Sequence, residues 1–151
     1  MLDLFDAAPE LQLAAWFHDA IYSPHRHDNE LRSAALARLR LRHAGLSRDA
    51  REFVAHAVLA TAKHDVVDAE IAPLIDADLA ILGANAEPYR RYADAIRDEY
   101  AFVPSDRFRS ARACFLNTML GRSEIFRTPI AHARFEFRAR QNLRKELATL
   151  T

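Results

Sequence analysis

The sequence predicts an all-α fold, and three observations lead to that prediction. Only three glycines and six prolines interrupt the 151 residues, so residues that break helices are sparse. The segments between them place apolar residues at helical spacing, and no window alternates with the two-residue period of a strand. We therefore expect a compact bundle of about seven helices that forms a single domain over residues 1–151.

An apolar helix that contains a His-Asp pair is predicted from about Glu10 to Tyr22, before Pro24. Its apolar residues lie around the whole circumference, which is the pattern of a buried helix. His18 and Asp19 interrupt this apolar run. An ionised carboxylate buried alone is so unfavourable that it must be paired or bound to a metal. The pair therefore requires a partner elsewhere in the chain.

Capping residues define the next two helices. Asp28 is a favourable N-cap for a helix from Asn29 to His43, with Glu30 in its first turn, where negative charge is stabilising. Ser47 is the N-cap of the following helix. That helix is predicted to carry four spaced residues on one face, namely Phe53, Ala57, Ala60 and His64.

A shorter helix is predicted from about Ala72 to Leu82, ending at Gly83. Asp78 falls within its apolar face, whereas Asp76 is predicted to point outward. Asp78 is therefore a second acid at a position suited to a core residue. Three more helices are expected over residues 87–101, 105–120 and 129–150, the last opened by Thr128 and Pro129.

Composition argues against several classes of protein. The formal net charge is zero, so the protein as a whole has no electrostatic attraction for nucleic acid or an anionic membrane. Cys114 is the only cysteine, which leaves no internal disulfide. No apolar run approaches the roughly 20 residues of a membrane span, and the acidic start lacks the basic region of a signal peptide. We expect a cytoplasmic protein without a membrane or nucleic-acid partner. The arginine-rich segment Arg134–Arg144 of the last helix is predicted to present its charges to solvent. The alternative is that it forms a homodimer interface or binds an anion.

Three polar groups lie on surfaces predicted to be buried, namely His18–Asp19, His64 and Asp78. Imidazole nitrogen and carboxylate oxygen together form a ligand set for a divalent transition metal or magnesium. One such ion would neutralise both acids. A buried hydrogen-bond network explains the same residues, and a single histidine such as His64 on an apolar face is commonly a core residue with satisfied hydrogen bonds.

Short motifs lie along almost the whole chain: WFHDAIY (16–22), DNELRSA (28–34), TAKH (61–64), DADLAILG (76–83), Tyr89 to Tyr92 with IRDEY (96–100), and ARQNL (139–143). Together they resemble the HD-domain superfamily of metal-dependent phosphohydrolases. The nearer resemblance is to small bacterial proteins described as predicted metal-dependent HD phosphohydrolases. The resemblance implies an HD-domain-like helical bundle.

The resemblance also implies a divalent metal ion, with manganese, cobalt, magnesium, nickel, iron and zinc all compatible with the ligands. His18 and Asp19 match the central metal-binding pair, and Asp78 matches the last metal-binding aspartate. Such an ion lowers the pKa of a bound water and polarises a phosphoryl oxygen. The implied reaction is hydrolysis of a small phosphate monoester or diester, with a nucleotide-like substrate as partner.

Further catalytic candidates surround this ligand set. His64 matches a motif histidine and is a candidate to support a metal ligand or contact the substrate phosphate. Arg26 and Lys63 are candidates to stabilise the negative charge that develops during the reaction. Glu30 is a candidate general base, and the alternative is a first-turn helix charge.

One expected ligand is missing. The superfamily pattern has a first histidine on an earlier helix, and residues 1–17 contain none. We therefore expect the chain to be N-terminally short relative to the family, with a three-ligand site of lower metal affinity. His25, His27 and His56 are substitutes only if the fold brings one of them close.

Three functions are compatible with these residues. The first is a metal-dependent phosphohydrolase. The second is a catalytically impaired HD-type module that keeps a metal or ligand pocket without turnover. The third is an all-α protein whose His-Asp pair is a hydrogen-bonded core network.

Overall fold

The computed structural model describes residues 7–64 and 68–150. Within those residues the chain forms seven α-helices and no strand, so the predicted all-α class is confirmed. No helix in these ranges is both long and apolar enough to cross a membrane. The helices are α1 (Pro9–Phe17), α2 (Asn29–His43), α3 (Arg48–Ala60), α4 (Ala72–Leu79), α5 (Ala86–Glu99), α6 (Ser105–Gly121) and α7 (Pro129–Leu150), with a 3₁₀ helix at Ala80–Gly83.

Two predicted helix starts are confirmed by the caps that form there. Ser47 Oγ accepts a hydrogen bond from the Ala50 amide at 3.2 Å, at the start of α3. Thr128 Oγ1 accepts one from the Ala131 amide at 3.2 Å, at the start of α7. Each bond satisfies a backbone N–H that has no partner within its own helix, which is why these residues mark the boundaries.

Asp28 occupies the predicted cap position of α2, and α2 has the predicted bounds. Its carboxylate does not accept a capping hydrogen bond. It accepts instead from Arg26 Nε at 2.8 Å and Arg32 Nε at 2.7 Å. The prediction of a side-chain cap is therefore wrong, because two guanidinium groups compete successfully for the same oxygens.

α1 is shorter than predicted. It ends at Phe17 rather than near Tyr22, and His18 is its C-cap. The Ile21 amide donates to Ser33 Oγ at 3.0 Å, and that hydroxyl donates to the Ile21 carbonyl at 3.2 Å. These bonds to α2 replace the hydrogen bonds that a continued helix would make.

The buried side of α1 is narrow. Leu11 and Ala14 are buried, whereas Trp16 is 83% exposed. The prediction that this helix is buried all round is therefore wrong, because apolar residues around a circumference do not by themselves bury every side.

The segment after α3 does not continue that helix. α3 ends at Ala60, and the Thr61 hydroxyl donates to the Val58 carbonyl at 2.8 Å. His64 follows with a positive φ of 53°, a left-handed conformation that L residues other than glycine rarely adopt. The predicted sharing of one helical face by Phe53 and His64 is therefore wrong.

α4 is buried on nearly every side. Leu74, Ile75 and Leu79 are buried, and Asp76 is fully buried as well. Asp78 is the more accessible of the two aspartates, with 27% of its side chain exposed. The prediction that Asp76 points outward is wrong, because Asp76 lies on a fully buried side of α4 and Asp78 lies on the more accessible one.

The chain divides into two compact units, residues 1–78 and 79–151. In the first unit, α2 packs against α3, and α1 packs against both. In the second unit, α7 packs against the 3₁₀ helix and α6, while α5 packs against the 3₁₀ helix. The expectation of a single domain over residues 1–151 stays a prediction.

The starts of three helices border one cavity of about 600 Å³ in the first unit. Glu10 of α1, Asp49 of α3 and Glu70, just before α4, are among its lining residues. Leu11 and Phe53 contribute apolar surface to the same cavity.

α7 passes very close to the 3₁₀ helix in the second unit. A Cβ atom on Gly83 would lie 2.5 Å from Phe135 Cβ and 2.8 Å from its carbonyl oxygen. Asn142 Nδ2 donates to the carbonyl groups of Leu82 at 2.8 Å and Ala84 at 2.9 Å. The end of the DADLAILG motif, at Leu82 and Gly83, and Asn142 of the ARQNL motif therefore lie in a close, hydrogen-bonded helix contact within the second unit.

An ion pair on α7 closes the loop between α6 and α7. The Glu136 carboxylate accepts hydrogen bonds from the Ile125 amide at 3.0 Å and the Phe126 amide at 3.1 Å. Arg140 Nε donates to Glu136 at 2.7 Å. Arg140 also donates to the Leu120 carbonyl at the end of α6 and to two loop carbonyl groups, those of Arg122 and Ser123. The prediction of a solvated arginine face is wrong for Arg140. Its guanidinium is mostly buried and donates to Glu136 and to backbone carbonyl groups, which fixes the loop between α6 and α7.

A second ion pair joins α6 to α7. Arg112 donates from Nε to Glu146 at 2.7 Å and from a terminal nitrogen at 3.1 Å. The side chains are 8% and 12% exposed. The Tyr89 hydroxyl donates to the same carboxylate. Burial and this carboxylate raise the pKa of Tyr89, so the phenol stays protonated and remains a donor.

Candidate metal centre

Four side chains of the first unit form a cluster of two imidazoles and two carboxylates. His18 Nε2 lies 3.3 Å from Asp19 Oδ2 and 3.6 Å from Asp78 Oδ1. His64 Nε2 lies 2.7 Å from Asp78 Oδ2. The structure therefore brings Asp78 to His18, as the sequence predicts, and His64 joins them. Their role as metal ligands stays a prediction.

The ends of three segments position these groups. His18 caps the end of α1, and Asp19 follows it. Asp78 lies in the last turn of α4. His64 reaches the cluster from the turn after α3, in its left-handed conformation. Unfavourable backbone geometry of this kind persists where the surrounding structure enforces it, and it occurs frequently at functional sites.

The hydrogen bonding of His18 fixes the direction of its ring. Nδ1 lies 2.8 Å from the Ala15 carbonyl oxygen. A carbonyl oxygen only accepts, so Nδ1 carries a hydrogen and Nε2 faces Asp19 and Asp78. These two carboxylates, with the Ala15 carbonyl and against the effect of burial, raise the pKa of His18 to about 10. Without a metal, the ring is an imidazolium at neutral pH.

Asp78 divides its two oxygens between two rings, Oδ1 facing His18 and Oδ2 bonded to His64. Burial by itself would raise the pKa of Asp78. The hydrogen bonds from His18 and His64 outweigh burial and hold the pKa well below its ordinary value. The carboxylate is therefore ionised throughout the neutral range.

The cluster is accessible from solvent. The side chains of His18, His64 and Asp78 are about a quarter exposed, and that of Asp19 is 61% exposed. The expectation that Asp19 is a buried acid is therefore wrong, because α1 ends before it. A polar ligand can reach this group of side chains, which a closed core network would not allow.

The donor set fits a divalent cation in its chemistry. Within the described residues, no group of three or more His, Cys, Asp or Glu side chains has the geometry of a metal site. The separations are those of ion pairs. Two ligands of one ion lie about 3 to 3.5 Å apart at ordinary bond lengths, which is close to the 3.3 and 3.6 Å found at His18. The two contacts of His18 are therefore near the spacing of ligands that share one ion, whereas His64 and Asp78 are at hydrogen-bond distance.

The other predicted catalytic residues lie apart from these contacts. Glu30 is half-buried in the first turn of α2, and no hydrogen bond or ion pair between described residues joins it to the cluster. Arg26 pairs with Asp28. Lys63 is exposed. The three candidate substitute ligands are exposed, namely His25, His27 and His56.

Sequence reasoning missed two features of this region. The Ala15 carbonyl orients His18, and no residue type marks a backbone group for such a role. The exposure of Trp16 was also missed, because its helix reads as apolar throughout. The signal that could have revealed the helix end is the loss of helical spacing between Asp19 and Pro24.

The metal-free protein should lose stability as pH rises. The folded pKa of His18, about 10, lies above the ordinary value of 6.5. Its contribution is therefore fully present below pH 6.5 and is lost as pH rises towards 10. Melting temperatures of chelator-treated wild type should fall over that window more steeply than those of His18→Gln. Parallel curves for the two proteins would show that the imidazolium is not stabilised in this cluster.

Comparison of the chain with protein-family models, curated proteins and solved structures finds no match.

Proposed function

We propose that the protein is a metal-dependent phosphohydrolase whose divalent ion is held by His18, Asp19 and Asp78. The observation that carries the proposal is the orientation of His18, with Nδ1 on a backbone carbonyl and Nε2 directed at two carboxylates. The choice of a phosphate ester rests on the resemblance of the motifs to HD-type phosphohydrolases.

The orientation of His18 supports a cation at this point. Since Nδ1 carries a hydrogen, a neutral ring would present its Nε2 lone pair to two negative carboxylates. That arrangement requires a positive charge, supplied either by a second ring proton or by a metal ion. Histidines that bind metals characteristically donate their other N–H to a carboxylate or backbone carbonyl, as His18 does with Ala15.

His64 acts as a positioning residue in this proposal. Its bond to Asp78 Oδ2 holds the carboxylate so that Oδ1 faces His18. A supporting contact of this kind orients a ligand and tunes its basicity. His64 was predicted as a catalytic candidate, and its contact with Asp78 favours this indirect role. Glu30 stays a prediction as general base.

A divalent ion supplies a Lewis acid for the phosphoryl oxygen and a water molecule of lowered pKa. The chain supplies the rest of the site. Asp19 presents its carboxylate at the solvent-exposed side, where a small substrate enters. His18 and Asp78 are less exposed than Asp19, and the two groups lie 3.6 Å apart.

Metal binding is the first test. Metal-free wild type should bind Mn²⁺ in calorimetry, while His18→Ala and Asp78→Asn should remove that binding. His64→Gln should weaken it by about 10–100-fold, as expected for a supporting contact. Asp28→Asn is the matched control, an acid of the same unit whose partners are Arg26 and Arg32. Absence of Mn²⁺, Co²⁺ or Mg²⁺ binding at micromolar concentration would contradict the proposal and favour a core network.

Turnover is the second test. Wild type loaded with Mn²⁺, Co²⁺ or Mg²⁺ should hydrolyse p-nitrophenyl phosphate, bis-p-nitrophenyl phosphate or a nucleoside monophosphate. The same reactions should be absent in His18→Ala and Asp78→Asn. Metal binding without hydrolysis of any of these esters would identify the alternative, a catalytically impaired metal-binding module. Hydrolysis that persists in both variants would refute the assigned ligands.

A further inference from the structure

We propose that a cavity lined by α5 and α7 binds a free amino acid through its ammonium and carboxylate groups. The cavity lies in the second unit and has a volume of about 330 Å³. Ligand pockets range upward from about 300 Å³, so this one suits a small molecule. The inference rests on three polar groups of the cavity wall that have no partner among the described residues, those of Asn142, Asp94 and Lys145. It does not depend on the phosphohydrolase function.

Asn142 presents a hydrogen-bond acceptor from a buried position, since the residue is only 6% exposed. Its Nδ2 group donates to the Leu82 carbonyl at 2.8 Å and to the Ala84 carbonyl at 2.9 Å. Two carbonyl acceptors fix the orientation of the amide, because only its nitrogen can donate. Oδ1 accepts from no described residue, yet it is not sealed from solvent. Because Asn142 lines the cavity, we infer that this oxygen is open to it.

Asp94 of α5 and Lys145 of α7 bring opposite charges to the same cavity wall. Both residues are exposed, and neither side chain bonds to the other or to any other described residue. Opposite charges that border one cavity without a direct contact leave room for a ligand that carries both charges. An ammonium group matches the Asp94 carboxylate and Asn142 Oδ1, and a carboxylate matches the Lys145 ammonium.

The other polar side chains of the cavity wall are already engaged. Tyr89 and Thr149 donate to Glu146, and Arg90 donates to Glu87. Glu146 is itself neutralised by its ion pair with α6. These groups therefore leave no uncompensated charge for a ligand to satisfy, and recognition falls to the three unpartnered groups.

The apolar part of the wall indicates which side chain the amino acid carries. Ala86 and Ala93 of α5 line the cavity. An aliphatic side chain placed against them gains from the removal of its apolar surface from water. A charged side chain would find no further unpartnered group among the described lining residues. L-Leucine is therefore a suitable probe.

Calorimetry with L-leucine and two truncated relatives tests the need for both charges. Isopentylamine lacks the carboxylate of leucine, and isocaproate lacks its ammonium group. Leucine should bind at millimolar concentration or below, and each relative should bind about ten-fold more weakly or worse, because one charged hydrogen-bonding group is lost. Absence of leucine binding at millimolar concentration would overturn the proposal. Equal affinity for leucine and either relative would overturn it as well.

Four surface variants locate the bound leucine. Lys145→Met and Asp94→Asn should each weaken binding about ten-fold, and their melting temperatures should stay near that of wild type because exposed charges contribute little to stability. Arg144→Met and Asp98→Asn are the matched controls. They change exposed charges of the same two helices outside the cavity lining, and they should bind leucine as wild type does.

Ala93→Leu blocks the cavity from α5 and should abolish leucine binding. Leucine is a good helix former, so circular dichroism should show an unchanged helix content. Binding that survives in folded Ala93→Leu would overturn the proposal. If this variant does not fold, the surface variants decide, because affinity unchanged in both Lys145→Met and Asp94→Asn would place leucine elsewhere and overturn the proposal equally.

Discussion

Gly83→Ala should lower the free energy of unfolding by about 3 kcal/mol, the upper part of the range for overpacked contacts. The new Cβ would lie 2.5 Å from Phe135 Cβ, 2.8 Å from its carbonyl oxygen and 2.9 Å from its Cα. Backbone atoms of α7 form most of this contact, so no side-chain rotation relieves it. α7 must move, and the Asn142 hydrogen bonds to Leu82 and Ala84 would be stretched with it. Urea unfolding measures the loss.

Gly121→Ala is the matched control for this substitution. Gly121 ends α6, and a Cβ there would have no atom within 4 Å. Alanine is favoured over glycine in a helix by up to about 1 kcal/mol, so the control should be neutral or stabilising. Equal unfolding midpoints for Gly83→Ala and wild type would show that α7 does not approach the 3₁₀ helix this closely.

Arg112→Met should destabilise the second unit by about 3–5 kcal/mol, because it leaves the carboxylate of Glu146 buried without its counter-charge. Both side chains lie almost entirely out of solvent. The Tyr89 hydroxyl would remain as a neutral donor to Glu146. Methionine keeps much of the apolar volume of the arginine stem, so most of the loss is electrostatic. Denaturant unfolding followed by circular dichroism measures it.

Two comparisons separate the charge effect from a packing effect. Arg112→Met combined with Glu146→Leu should recover most of the lost stability, since no charge is then buried alone. Arg38→Met breaks an ion pair with Glu52 that is far more exposed, and it should cost less than about 1 kcal/mol. A double variant as unstable as Arg112→Met would contradict the electrostatic account and point to lost packing on Tyr92 and Phe115.

The parts of the fold that were predictable are those set by local chemistry. Ser47 and Thr128 cap α3 and α7 because their hydroxyl groups satisfy amides a few residues away, an interaction that the sequence contains in full. The end of α1 was not predictable, since it depends on Ser33, which lies 12 residues further along the chain.

In the candidate site, too, some features were predictable from the sequence and others were not. Asp78 was selected as the neighbour of His18 by assuming a one-sided α4, with Asp76 outside. The structure places Asp78 beside His18 but buries Asp76 completely. Asp78 does lie next to His18, but the reason given for choosing it does not hold, because the more buried of the two aspartates is Asp76. His64 joins the cluster through a left-handed residue, a conformation that the residue type alone does not predict.

The shared direction of α1, α3 and α4 has an electrical consequence for the first unit. Their starts border the acidic cavity, and the ends of α1 and α4 carry His18 and Asp78. The peptide dipoles of helices that run the same way add to one another, giving partial positive charge at the cavity and partial negative charge at the cluster. Glu10 and Asp49 offset the first. A positive charge at His18, from a ring proton or a metal ion, offsets the partial negative charge at the cluster. The helix dipoles and the carboxylates of Asp19 and Asp78 therefore both favour a cation at His18.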